Sequence, residues 1–371
     1  MVPSEKTAAS SIAKGRFPEF PELDGFRGLA LLLVLVEHAL RWSLRIPGPW
    51  DHWGSAGVIL FFGLSGFLIT GLLCAERGRT GRVDLRAFWV RRSLRIVPAM
   101  VVFVAVAALL KLGGFFEAKP YWRDFPVTLL FLRNLAGDGR ELQHLWSVSL
   151  EQQYYLLWPL LFAALPLASA TRAGRLLFVG VVAWRTAAIA GGLHAWDSTP
   201  IYQRTDFRLD ALIGGSLVAV AWHQGRLGGS WLRRIPPSAV LAALLSWTAW
   251  GSSLPWARAS HITGQVLLAL LLLARLVVSP AGPFAAGCRW GWLRWLGRRS
   301  YSIYIWQQLF VTAKTPDWGW VRMFPIDLVF AFAAGLASYH LVELPCLRLK
   351  SRWGGRRPEN SSGPEARDTG R

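Results

Sequence analysis

Apolar residues in this chain are gathered into blocks of about 17 to 23, each long enough to cross a hydrocarbon core about 30 Å thick as a helix. A soluble core has no use for that spacing. With 53% hydrophobic residues and 21 tryptophans in 371 residues, the composition agrees. The sequence therefore predicts an all-α, polytopic transmembrane bundle. About ten spans are expected, near 27–46, 54–75, 96–116, 145–168, 176–194, 209–222, 237–255, 262–279, 299–313 and 324–344. The block at 209–222 is short by itself, and the one at 145–168 opens on polar residues.

The formal charge of +19 raises nucleic-acid binding, but the placement of the charges argues against it. With the N-terminus on the cytoplasmic side, 27 of the 41 Lys and Arg residues fall in inner segments and 11 in outer ones. The opposite orientation inverts that split, so the positive-inside rule places both termini in the cytoplasm. The expected surroundings are membrane lipid, with no nucleic acid as partner. Cys74, Cys288 and Cys346 fall near cytoplasmic ends, where thiols stay reduced and no disulfide framework is expected.

Loops between the blocks are short, which favours one membrane domain over 23–350. A cytoplasmic segment at 1–22 precedes it, without the apolar core of a signal peptide. A polar tail at 351–371, rich in Gly, Pro and Ser, is expected to be disordered. Between 117 and 143 a half-apolar stretch, Phe125 to Leu135, reads as an interfacial or re-entrant helix.

The first block carries the most chemistry. Arg27 and His38 are eleven residues apart, which at 100° per residue is three turns plus roughly 20°, so both side chains face the same way. His38 lies roughly 16 Å further along the axis, near mid-membrane if Arg27 is near the inner surface. Ionisable groups at that depth usually face the bundle interior and mark a pathway or a site, although a neutral histidine bonded between helices is the plainer alternative. Glu37 points about 100° away, as an interhelical acceptor would.

Three further groups stand out. In AFWVRRSLRIVPAM, Arg92 and Arg95 are three apart on one helical face, a pair able to hold phosphate or simply to flank anionic lipid. In HLWSVSLEQQYYLLWP, Ser147 and Glu151 share a face at i and i+4. In TDFRLDAL, Arg208 and Asp210 form a second buried charged pair, with packing as its plainer role.

Together these pieces resemble the acyltransferase 3 family of bacterial membrane O-acyltransferases, from about Asp24 to Leu347. Arg27 and His38, preceded by LDGFRG, are similar to the family's opening basic residue and catalytic histidine. Phe88 to Pro98 matches FxxRRxxRIxP. Trp146, Ser147, Glu151, Tyr154, Tyr155 and Pro159 resemble WSLxxExxFYLLxP. Arg208, Asp210 and Gly214 resemble TRLDALxxGxxxA, with Phe207 in place of a small residue. SYHLVELP, with Glu343 and Pro345, is similar to the closing YxxxExP. Near the end, GRRSYSIYIWQQLF has Gln307 where relatives commonly carry His, which touches a secondary polar role rather than the main one.

The resemblance implies a stand-alone membrane domain of the bacterial inner membrane, without the extracytoplasmic esterase-like domain of many relatives. It implies a cytoplasmic acyl-CoA donor, usually acetyl-CoA, as co-substrate, a carbohydrate or glycosylated hydroxyl as acceptor, and no metal or permanently bound cofactor. His38 would be the catalytic base, assisted by Arg27 and Glu151. Arg92 and Arg95 would bind the donor, and Trp146, Ser147, Tyr155, Arg208 and Asp210 the acceptor. A proton-coupled transporter and a non-catalytic component of a polysaccharide assembly system are the alternatives from other classes.

Overall fold

The computed structural model describes residues 17–115, 122–136, 142–192, 203–254, 260–311 and 318–350. Residues 1–16 and the tail from 351, each expected to be a separate segment, lie outside the described residues. Among those described, helices dominate and no strand occurs.

Each of the ten predicted blocks coincides with a helix. These are α1 (Pro21–His38), α2 (Trp53–Thr80), α3 (Leu85–Leu112), α4 (Trp146–Ala164), α5 (Leu167–Ala190), α6 (Thr205–His223), α7 (Pro237–Trp250), α8 (His261–Val278), α9 (Gly291–Val311) and α10 (Ile326–Ser338). Five helical stretches are long and apolar enough by composition to cross a membrane: Pro49–Thr80, Leu85–Leu112, Leu167–Ala190, His261–Val278 and Ile326–Leu349. Helices α1, α4, α6, α7 and α9 are not among them, α7 being apolar but shorter. Of these, α1, α4, α6 and α9 carry Arg27, His38, Glu151, Arg208, Asp210 and Gln307.

The centre of the bundle is built from α1, α2, α6 and α9. Glycines let these backbones touch, which is how helices associate where no hydrophobic drive separates protein from lipid. A Cβ on Gly297 of α9 would lie 1.7 Å from the Asp24 carbonyl oxygen of α1. One on Gly66 of α2 would lie 1.9 Å from the Leu212 oxygen of α6. Only a hydrogen fits at either place.

Two helices change pitch where polar residues cluster. A π turn, Ala39–Ser43, follows α1 directly after His38, and a second, Tyr339–Glu343, follows α10. Single π turns inside α-helices are frequent at functional positions. Glu37 serves as the interhelical acceptor the sequence suggested. Its Oε2 takes the backbone N–H of Gly54 at 2.5 Å, one of the donors the first turn of α2 leaves unpaired.

The stretch read as interfacial or re-entrant contains a short helix, Asp124–Leu129, followed by turns laid against α4. Gln153 of α4 donates to the Phe131 carbonyl at 2.7 Å and to Asn134 Oδ1 at 2.9 Å, which ties the stretch down.

Candidate functional site

Helices α1, α2, α3, α4 and α9 line a partly open cleft with a cavity volume of about 80 Å³. Three guanidiniums reach it: Arg27 from α1, and Arg92 with Arg95 from α3. The predicted i, i+3 pair thus joins the arginine of the first helix at one place. Among the described residues none of the three makes a salt bridge. Arg92 lies over the Tyr155 ring, 5.3 Å from its centroid, a cation–π contact that orients the fork without neutralising it.

Glu151 is the acidic group in the cleft, and its Oε1 accepts from Ser65 Oγ at 2.7 Å. Ser147 lines the same cleft, as i, i+4 spacing on α4 required. Three cationic groups against one carboxylate give the cleft a positive field, and low-dielectric walls strengthen it. Such a field suits an anion with several oxygens.

Hydroxyls line the end of the cleft nearest Tyr304. Ser147 Oγ and Tyr304 Oη are 2.8 Å apart, and both lie within hydrogen-bond reach of the His144 carbonyl, at 3.1 and 3.2 Å. His38 does not line the cleft. It stands one helical turn of α9 beyond Tyr304, where its Nδ1 meets Oε1 of Gln307 at 2.7 Å. Another histidine, His144, is buried nearby with Nε2 on the Ile305 carbonyl at 2.8 Å.

Arg208 and Asp210 do not bond each other; Asp210 takes the plainer role, an interhelical salt bridge that fixes packing. Asp210 is fully buried and bonds Arg185 of α5, Oδ2 to Nη2, at 2.7 Å. Arg185 also donates to the Phe207 carbonyl at 2.5 Å and to Thr263 Oγ1 at 2.7 Å. Residues two apart on a helix point about 200° away from each other, so neighbours in the chain were the wrong partners. Arg208 lies over the Trp146 ring at 5.8 Å, and its buried Nη1 has no hydrogen-bond partner. Arg208, Trp146 and Asp210 therefore lie apart from the cleft lining, with Asp210 committed to packing.

Sequence reasoning missed Ser65, Tyr304 and His144, whose roles come from helices distant in the chain. Arg185 carried a readable signal: an arginine inside the apolar run VVAWRTAAIA must find a buried partner. Gln307 was read as a departure of secondary weight, yet its side chain touches His38 directly.

Fold and site define a helical membrane protein with a cationic internal cleft that ends one turn from a histidine. The family model described as an acyltransferase domain, acyltransferase 3, matches residues 20–339, and the chain belongs to that family. It is 28% identical over 323 residues to the peptidoglycan O-acetyltransferase OatA of Listeria monocytogenes, covering 80% of this chain and 50% of the relative. It is 27% identical over 358 residues to the putative peptidoglycan O-acetyltransferase YrhL of Bacillus subtilis, covering 88% and 54%. A putative O-acetyltransferase of Staphylococcus aureus, SACOL0978, is 27% identical over 366 residues, covering 88% and 57%. The chain thus spans about half the length of these curated relatives. No solved structure matches it.

Proposed function

We propose that this chain is a membrane O-acyltransferase that moves an acyl group, in the first instance acetyl, from cytoplasmic acyl-CoA to a carbohydrate hydroxyl, with His38 as general base. The observation that carries this is the set of three guanidiniums, free of salt bridges, in a cleft whose end nearest Tyr304 lies one turn from His38. Phosphate groups of the donor fit Arg92 and Arg95, because guanidinium forks bind phosphate oxygens in pairs. Arg27, in the same cleft, orients the arm that carries the thioester. Eleven residues of α1 separate it from His38, roughly 16 Å along the axis, a span an extended pantetheine arm matches.

In the transfer step the acceptor oxygen forms a bond to the thioester carbonyl carbon as His38 takes the hydroxyl proton. The C–S bond then breaks, and the CoA thiolate leaves with that proton from the imidazolium. A histidine is suited to both halves because its protonation states interconvert near neutral pH. Ser147, Tyr155 and Glu151 flank the path between donor and base and orient the reacting groups. Trp146 and Arg208 offer a stacking surface and an unsatisfied donor for a polar acceptor on the outer side. Ten spans, cytoplasmic termini and residence in a bacterial inner membrane complete the proposal. The names of the relatives favour a peptidoglycan-type acceptor.

The test is CoA release from labelled acetyl-CoA by purified protein in bilayers, compared with His38→Ala. Release by the wild type and its loss in the variant support the proposal. Equal slow release by both removes its support. Binding without turnover favours a non-catalytic component, and uptake driven by a pH gradient favours a transporter.

A further inference from the structure

Gln307 lies on α9, fully buried, with its Oε1 2.7 Å from His38 Nδ1. The amide is placed with its oxygen toward the ring and its Nε2 without a partner; an amide oxygen only accepts, so in this orientation the proton between them sits on Nδ1. We infer that Gln307 is a positioning residue that fixes His38 as its Nδ1–H tautomer, leaving Nε2 as the nitrogen that accepts the acceptor's proton. The inference rests on the assignment of His38 as the base.

Two observations agree with it. Nε2 of His38 makes no hydrogen bond among the described residues, and it is not one of the sealed, partnerless atoms, so its lone pair is neither occupied nor walled off by protein. His144, buried nearby, has the opposite arrangement. Its Nε2 meets the carbonyl of Ile305, which forces the proton onto Nε2, and its Nδ1 is buried without a partner. Two oxygens of α9, two residues apart, thus set two neighbouring histidines in opposite tautomers. Of the two, only His38 keeps a basic nitrogen that protein does not wall off.

Left alone, a neutral imidazole can place its proton on either nitrogen. An Nε2–H form of His38 would present a donor where the reaction needs an acceptor. Gln307 also holds the ring plane, since the bond lies in it. In proton bookkeeping, the hydroxyl proton goes to Nε2 and returns from Nε2 to the leaving thiolate, while the Nδ1 proton never moves.

The experiment is solid-state NMR of protein labelled with ¹⁵N-histidine in lipid bilayers, with His38→Asn to assign one signal among the seven histidines. The expected wild-type spectrum shows His38 protonated at Nδ1 and bare at Nε2. In Gln307→Met, of similar size and without an acceptor, that signal moves toward the Nε2–H form. The same variant should lose about 10- to 100-fold in kcat, the scale seen when an outer partner of an oriented histidine is removed, with the donor KM unchanged. A wild-type His38 protonated at Nε2 overturns the inference, whether or not the variant folds. So do an unaltered tautomer and kcat in the variant. If His38→Ala keeps full turnover, the assignment of the base fails instead, and the tautomer result stands or falls by the spectrum alone.

Discussion

Asp210 and Arg185 are both fully buried and 2.7 Å apart, so replacing one of them leaves a charge with no counter-charge inside the bundle. Two unit charges about 4 Å apart attract by about 4 kcal/mol at an effective dielectric of about 20. Breaking such a pair from one side costs about 3–5 kcal/mol, because the remaining ion stays desolvated. Asp210→Asn should therefore destabilise the protein by that amount. Arg185 would keep its bonds to the Phe207 carbonyl and Thr263 yet lose its carboxylate. Replacing both, as Arg185→Met with Asp210→Leu, removes both charges of the pair and leaves neither partner unpaired. A well-packed apolar substitute for a buried pair is often neutral or better, so the double variant should recover most of the loss. The assay is reversible unfolding by detergent titration on the wild type, both single variants and the double variant. If Asp210→Asn is as stable as the wild type, or if the double variant is as unstable as the sum of the singles, the pair is not the packing element described.

Arg92→Ala should raise the donor KM by about 10- to 150-fold, the equivalent of losing about 1.5–3 kcal/mol of charge-assisted hydrogen bonding. Arg92→Lys should recover only part of it, since an ammonium is a point charge and not a fork. Initial-rate kinetics against acetyl-CoA concentration checks both. Gly297→Ala should abolish folded protein, because its Cβ would fall 1.7 Å from the Asp24 oxygen. Gly78→Ala, with nothing within 4 Å, should leave the yield unchanged. Size-exclusion profiles of the extracted variants separate the two.

The helices were legible because apolar blocks of span length can fold in lipid only with their backbone groups satisfied within the segment. The site was legible only along single helices. Arg92 with Arg95, and Ser147 with Glu151, follow from 3.6-residue periodicity, whereas Arg27 lines the cleft and His38 does not. Contacts between helices do not follow from that periodicity. His38 and Gln307 are 269 residues apart in the chain, and Arg185 finds Asp210 across 25. Gly66 and Gly297 show the same limit. Each reads locally as a weak spot in a helix, and only the facing carbonyl explains the missing side chain.

The central claim, that His38 is the base in acyl transfer from a donor held by the arginine cleft, is tested most directly by one comparison. Acetyl transfer to a peptidoglycan-type carbohydrate acceptor is measured at saturating acetyl-CoA for the wild type, Arg92→Ala and His38→Ala. Saturation should return Arg92→Ala to near the wild-type rate, because its defect is in donor binding. His38→Ala should stay lower by about 10²- to 10⁴-fold, the contribution of a positioned general base. A His38→Ala protein that reaches the wild-type rate at high donor concentration would contradict the account.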